Sequence, residues 1–222
     1  MGFFYSMVSL KKEEIGFPDP REYHPLGGLI AMGGDLSSER LWLGYNLGLF
    51  PWFNPGEEIL WWCPDPRFVL FPKNLYVSKS MKKVLSSNQF TFTKDQAFEE
   101  VMRACMEVSR VDQDGTWISE ELICGFLELH REGKATSVEV WQDEELVGGF
   151  YGVVVGKVFC GESMFSKVSN ASKAAFITFV QSNHDKYDLI DCQIHSNHLE
   201  TFGAEMISKK EYLEILFESN GL

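Results

Sequence analysis

Three apolar runs follow one another closely, at 136–142, 145–155 and 157–163, and only the turns Gln142-Asp-Glu-Glu145 and Gly156-Lys157 separate them. Links this short leave no room for a crossover helix, so the runs must pair as an antiparallel meander. Helical patterns flank it. Phe98, Val101, Met102 and Cys105 make one apolar stripe, with Thr93 and Gln96 as its expected capping box. A second helix is expected from Ser119 to Arg131, with Leu122, Phe126 and Leu129 inward and Gly133 as its stop. Beyond the meander, Asn170 is read as the cap of a helix running to Ser182. A strand is expected from Asp188 to Ile194, and Ser208 with Glu211 opens a last helix. The order helix, helix, meander, helix, strand, helix indicates an α+β fold built on a central, mostly antiparallel sheet.

The first third is made differently. All eight prolines lie between Pro18 and Pro72, together with four of the six tryptophans. A change of construction is placed at Trp62 to Arg67, which divides the chain into a small N-terminal domain, 1–64, and a larger domain, 65–222. Asp35-Leu-Ser-Ser38 caps a helix from Glu39 to Leu47, with Leu41 and Tyr45 at helical spacing and Gly48 as its stop. The segment from Phe50 to Arg67 reads as loops and short extended pieces. A short lysine-rich helix at 80–85 and a strand at 90–92 follow.

Composition narrows the classes of function. No stretch approaches the ~18 uninterrupted apolar residues of a membrane span, and the N-terminus lacks a leader pattern, so a cytoplasmic protein is expected. The five cysteines are scattered without a CxxC pair, which indicates reduced thiols and no metal site. His195 and His198 have ligand-like spacing, but nothing nearby completes a set. A net charge of -12 argues against nucleic acid. Against that, residues 66–94 hold no Asp or Glu but include Arg67, Lys73, Lys79, Lys82, Lys83 and Lys94, so one local patch is basic.

The strand Leu189-Ile-Asp-Cys-Gln-Ile194 puts Asp191 and Gln193 on one face and Ile190, Cys192 and Ile194 on the other. A buried carboxylate and carboxamide must be hydrogen-bonded, either at a reactive site or as a pair that pins a neighbouring loop; spacing alone does not separate the two. Glu162 ends the meander in Gly161-Glu-Ser-Met-Phe-Ser166, where an exposed turn carboxylate is the plainer reading.

In order along the chain, GGLIAMGGDLSSERLWLGYNLGLFPWF, WWCPDPRFVLFP, SKSMKK, GTWIS, SVEVW, ELVGGFYGV, FCGESMFS, NASK and LIDCQ resemble the leucyl/phenylalanyl-tRNA-protein transferase family from Phe17 to Leu213. The resemblance implies transfer of Leu or Phe, with Met a further candidate donor, from aminoacyl-tRNA to the α-amine of proteins with N-terminal Arg or Lys. It also implies that the product is tagged for degradation, and a larger domain similar to the GNAT (acyl-CoA N-acyltransferase-like) enzymes. The acyl group arrives activated as an ester, so no cofactor is expected, and a monomer is expected.

Carried over residue by residue, the resemblance assigns Asp191 and Gln193 to catalysis, whether by proton transfer or by alignment. It assigns Phe150, Phe159, Glu162, Phe176, Phe179 and Ile190 to the pocket for the donated side chain. Phe150 and Phe176 stand where Met and Leu are expected, Phe126 stands where Tyr is expected, and Ile190 faces away from Asp191 under strict alternation. Tyr45, Trp52 and Trp117 are assigned to the tRNA's terminal adenosine by base stacking, and Lys79, Lys82 and Lys83 to its acceptor stem. Two other functions compete. A CoA-dependent GNAT-type N-acyltransferase would need a glycine-bearing phosphate loop, and SKVSNASK offers none. A non-catalytic module for RNA 3' ends would leave Asp191 and Gln193 unexplained.

Overall fold

The computed structural model describes residues 8–22, 26–108 and 116–221. The N-terminal segment that bears on a leader therefore lies outside the described residues, as does Gly115 of the GTWIS motif. The first third forms β1 (Val8–Leu10), β2 (Leu29–Gly33), α1 (Ser38–Asn46), β3 (Phe50–Pro51) and β4 (Leu60–Trp62). These strands make a four-stranded sheet ordered β1-β2-β4-β3. Ser37 caps α1 by accepting from the Arg40 amide, and Asp35 braces the cap by accepting from the Ser37 hydroxyl.

The remainder runs β5 (Arg67–Leu70), α2 (Lys79–Ser86), β6 (Thr91–Lys94), α3 (Phe98–Glu107), α4 (Glu120–Arg131), β7 (Ala135–Gln142), β8 (Glu145–Val155), β9 (Val158–Ser166), α5 (Ala171–Ser182), β10 (Leu189–Gln193), α6 (Asn197–Glu200), β11 (Glu205–Ile207) and α7 (Lys209–Asn220). A seven-stranded sheet is ordered β11-β5-β10-β9-β8-β7-β6, and among its described residues only β9 and β10 pair parallel. The expected meander is β7-β8-β9. Strand β5 was not anticipated in the sequence, because prolines bracket its apolar run; it sits between β10 and β11.

Two local expectations give way to other chemistry. Thr93 lies in β6, where its hydroxyl donates to Glu139 at 2.5 Å and accepts from the Trp141 indole at 2.7 Å, so it caps nothing. Buried Glu139 instead reaches the amide of Ala97 at the start of α3. Asn170 holds a left-handed φ of 69 and makes no side-chain cap; Ser166, at the end of β9, accepts from the Ser172 amide in its place.

The large sheet is covered on both faces. On one face, α3, α4, α7 and the N-terminal elements enclose Leu41, Trp61, Val69, Val101, Phe126, Tyr151 and Leu216. On the other, α2 and α5 enclose Phe68, Phe150, Phe159, Phe176, Phe179 and Ile190. Each fully buried Phe or Leu contributes about 1.5–3 kcal/mol against exposure. Gly125 of α4 shows how tight the first core is: a Cβ there would lie 2.2 Å from the Leu36 carbonyl oxygen.

Candidate active site

Parallel pairing between β9 and β10 runs from Leu189↔Val158 to Asp191↔Cys160 and then stops, although both strands continue. Each strand carries a bulge just there. On β9, Gly161 and Ser163 oppose the consecutive residues Gly152 and Tyr151, which leaves Glu162 as the extra residue. On β10, Asp191 and Gln193 oppose Val69 and Phe68, which leaves Cys192 extra. Bulges bend strands and re-aim side chains. The Gln193 carboxamide consequently reaches across the gap and donates from Nε2 to Glu162 Oε1 at 2.5 Å. Strict alternation fails at this point, because Gln193 has a φ of 66.

Asp191 is fully buried. Its carboxylate accepts from Arg67 Nε at 2.7 Å and Arg67 Nη2 at 2.6 Å, from the Tyr212 hydroxyl at 2.9 Å and from the Gln193 amide at 2.9 Å. A carboxylate has about four lone-pair sites, so this one is saturated. Arg67 lies between the rings of Phe50 and Tyr212, 4.8 and 4.4 Å from their centroids. Burial raises the Tyr212 hydroxyl well above its ordinary pKa, which keeps it a donor. Arg67 therefore belongs to the buried frame, and the basic patch to which its sequence position assigned it begins after it.

Desolvation raises Glu162 from 4.5 to about 8. The residue as a whole is only partly buried, but its second oxygen, Oε2, is sealed from solvent. The buried hydroxyl of Tyr45, on α1, is hydrogen-bonded to the Glu162 carboxyl, which after burial is the next influence that raises the Tyr45 pKa. Tyr45 lies in the core against Phe126, with ring centroids 6.1 Å apart, instead of on an open wall. Burial also pushes the Cys192 thiol up, so it supplies no thiolate at neutral pH.

The gap opens into a cavity of about 520 Å³. Phe150, Phe159, Phe176 and Ile190 line one side. Phe179 packs behind them, its ring 5.3 Å from Phe150 and 4.6 Å from Phe159. Ile190 faces this apolar side while Asp191 faces the opposite core, as alternation requires. Trp52 and Trp117 line another part of the wall. Trp52 is half-buried and sits edge-on to Trp62 at 6.0 Å. Lys79, Lys82 and Lys83 are exposed on α2, which Met81 anchors to the core. His198 also lines the cavity, and burial together with Lys173 lowers its pKa. Among the described residues no cluster of three or more His, Cys, Asp and Glu could hold a metal.

The structure thus brings together Glu162, Gln193, the phenylalanines, Ile190 and the two tryptophans, sets Asp191 behind Gln193, and leaves the lysines apart on α2. Arg67 and Tyr212 escaped the sequence reading. The available signal was an arginine opening one apolar strand and an aspartate inside another, since lone charges in apolar strands need each other.

The profile described as leucyl/phenylalanyl-tRNA protein transferase matches residues 69–217, and that of its N-terminal domain matches 34–65. A leucyl/phenylalanyl-tRNA–protein transferase of Flavobacterium johnsoniae is 55% identical over 85% of this chain and 90% of its own. One from Pectobacterium carotovorum is 50% identical over 95% of this chain and 89% of its own. A GCN5-related N-acetyltransferase from Kribbella flavida is a loose structural likeness, with a TM-score of 0.38 and 11% identity over 74% of this chain and 58% of that one. By profile and by identity along nearly its whole length, the chain is a transferase that belongs to the leucyl/phenylalanyl-tRNA-protein transferase family.

Proposed function

We propose that this chain moves leucine or phenylalanine from aminoacyl-tRNA to the free α-amine of proteins that begin with Arg or Lys, in the cytoplasm and as a monomer, and so marks them for degradation. The observation that carries the reading is the Gln193–Glu162 bridge across the gap between β9 and β10, with an apolar pocket on one side and two tryptophans on the other. The phenylalanines and Ile190 would seat the donated side chain, and Trp52 and Trp117 the terminal adenine. Tyr45 would act from below through Glu162, and Lys79, Lys82 and Lys83 would meet the acceptor stem. The division into residues 1–64 and 65–222 belongs to the same reading; it is supported by one sheet ending at Trp62 and the next starting at Arg67.

The reaction joins the acceptor nitrogen to the ester carbonyl carbon and breaks the bond from that carbon to the ribose oxygen. The proton lost by the amine ends on the freed ribose hydroxyl. With Nε2 committed to Glu162, the Gln193 carbonyl oxygen remains to accept from the attacking amine and hold it in line. Asp191 has no lone pair left for a proton, so its part is to fix Gln193 through the backbone amide. Glu162, raised to about 8, keeps its proton in the neutral range and holds Gln193 as an uncharged carboxyl, so the α-ammonium, whose ordinary pKa is about 7.7–8.0, gives up its first proton to solvent. No thiol intermediate is needed, in keeping with the raised Cys192.

The test supplies leucyl-tRNA with peptides beginning Arg, Asp or Ala. Transfer to the Arg peptide alone is expected. Transfer to the Asp peptide, or activity with acetyl-CoA and no tRNA, would overturn the reading.

A further inference from the structure

Beyond the cavity mouth the sheet continues as a shelf with no assigned role. Gln193 lies opposite Phe68, and Phe68 lies opposite Met206 on β11, the outermost strand. Cross-strand partners share a face, so Met206 stands on the same face as Phe68, whose ring is covered by His195 at 5.1 Å. Ile194 and His195 also line the cavity, which makes cavity and shelf continuous. Ile194 is 42% exposed and Met206 43%, in a protein that leaves few large apolar side chains open.

The charge of this region is one-sided. From Tyr187 to Ser208 the chain contains no Lys or Arg. Glu200 is exposed and lies 3.5 Å from His195. An RNA backbone would meet the Glu200 carboxylate here, whereas a cationic polypeptide would meet attraction.

We infer that the shelf formed by Ile194, His195, Met206 and Glu200 seats the acceptor polypeptide beyond its first residue, so that acceptor choice depends on an apolar side chain a few residues in as well as on the basic N-terminus. This rests on the acceptor reading above. Adjacent strands are about 4.8 Å apart, so Met206 lies about 10 Å from Gln193, the reach of about three extended residues. An amine held at Gln193 brings the acceptor's third or fourth residue to Met206.

The experiment uses the full chain, saturating leucyl-tRNA, and two peptides that both begin Arg-Ala, one continuing with Leu-Leu and the other with Ser-Ser. The Leu-Leu peptide is expected to show a KM about five-fold lower at equal kcat. Met206→Ser removes that preference, and Glu200→Lys raises KM for both peptides, with kcat and tRNA affinity unchanged. Equal KM values that neither substitution moves would overturn the shelf, while the transfer itself would leave the acceptor reading standing. If the substitutions weaken tRNA binding instead, the shelf belongs to RNA and the inference fails. Absence of transfer to either peptide overturns both.

Discussion

Replacing Glu162 with glutamine tests the electrostatics of the site without changing its shape. A carboxyl whose pKa rises from 4.5 to about 8 on folding holds its proton more tightly in the native state. The native protein therefore carries more protons than the unfolded chain between those values, and stability is lost as the pH climbs through that window. At 1.36 kcal/mol per pH unit the gap caps the loss at ~5 kcal/mol. Because the residue is only partly buried, water in the cavity reduces this, and ~2 kcal/mol is the effect to look for. Glu162→Gln removes the titration but keeps an oxygen for Gln193 Nε2. Urea unfolding at pH 5 and at pH 9 should show the variant close to wild type at the lower pH and more stable than wild type by ~2 kcal/mol at the higher. Parallel pH profiles would mean that Glu162 titrates as an ordinary exposed carboxyl, and its role as an uncharged anchor for Gln193 would fall with them.

Arg67→Met leaves the Asp191 charge buried without its main partner, so unfolding should cost ~3–5 kcal/mol less than in wild type. The double variant Arg67→Met with Asp191→Leu should recover much of that in the same urea titration while remaining slow in transfer, because the hold on the Gln193 amide is gone. Phe176→Leu widens the apolar side of the cavity, where Phe150 and Phe176 rings meet at 6.2 Å. The ratio of kcat/KM for phenylalanyl-tRNA over leucyl-tRNA should rise about ten-fold.

Elements with strong periodicity were legible in the sequence. The meander, the extent of α4 and the inward Phe98, Val101 and Met102 needed only local chemistry. The site was half legible. Asp191 and Gln193 stood out as polar residues in an apolar strand, yet their division of labour depends on bulges in two strands far apart in sequence, which no local pattern encodes. Glu162 looked like a turn carboxylate because its hydrogen-bond partners, Gln193 of β10 and Tyr45 of the first third, are distant in sequence. Arg67 looked like part of a basic patch because its partner lies 124 residues away. Strand β5 was hidden by the prolines that bracket it and by neighbours, β10 and β11, that come from the far end of the chain.

Acyl transfer takes place, on the proposed reading, at the gap bridged by Gln193 and Glu162. Its most direct test is a single-turnover measurement with prebound leucyl-tRNA and saturating Arg peptide, comparing Gln193→Ala with wild type. The rate of the variant is expected to fall about a hundred-fold with the tRNA Kd unchanged. A rate within two-fold of wild type, or a loss explained wholly by weaker tRNA binding, would contradict it.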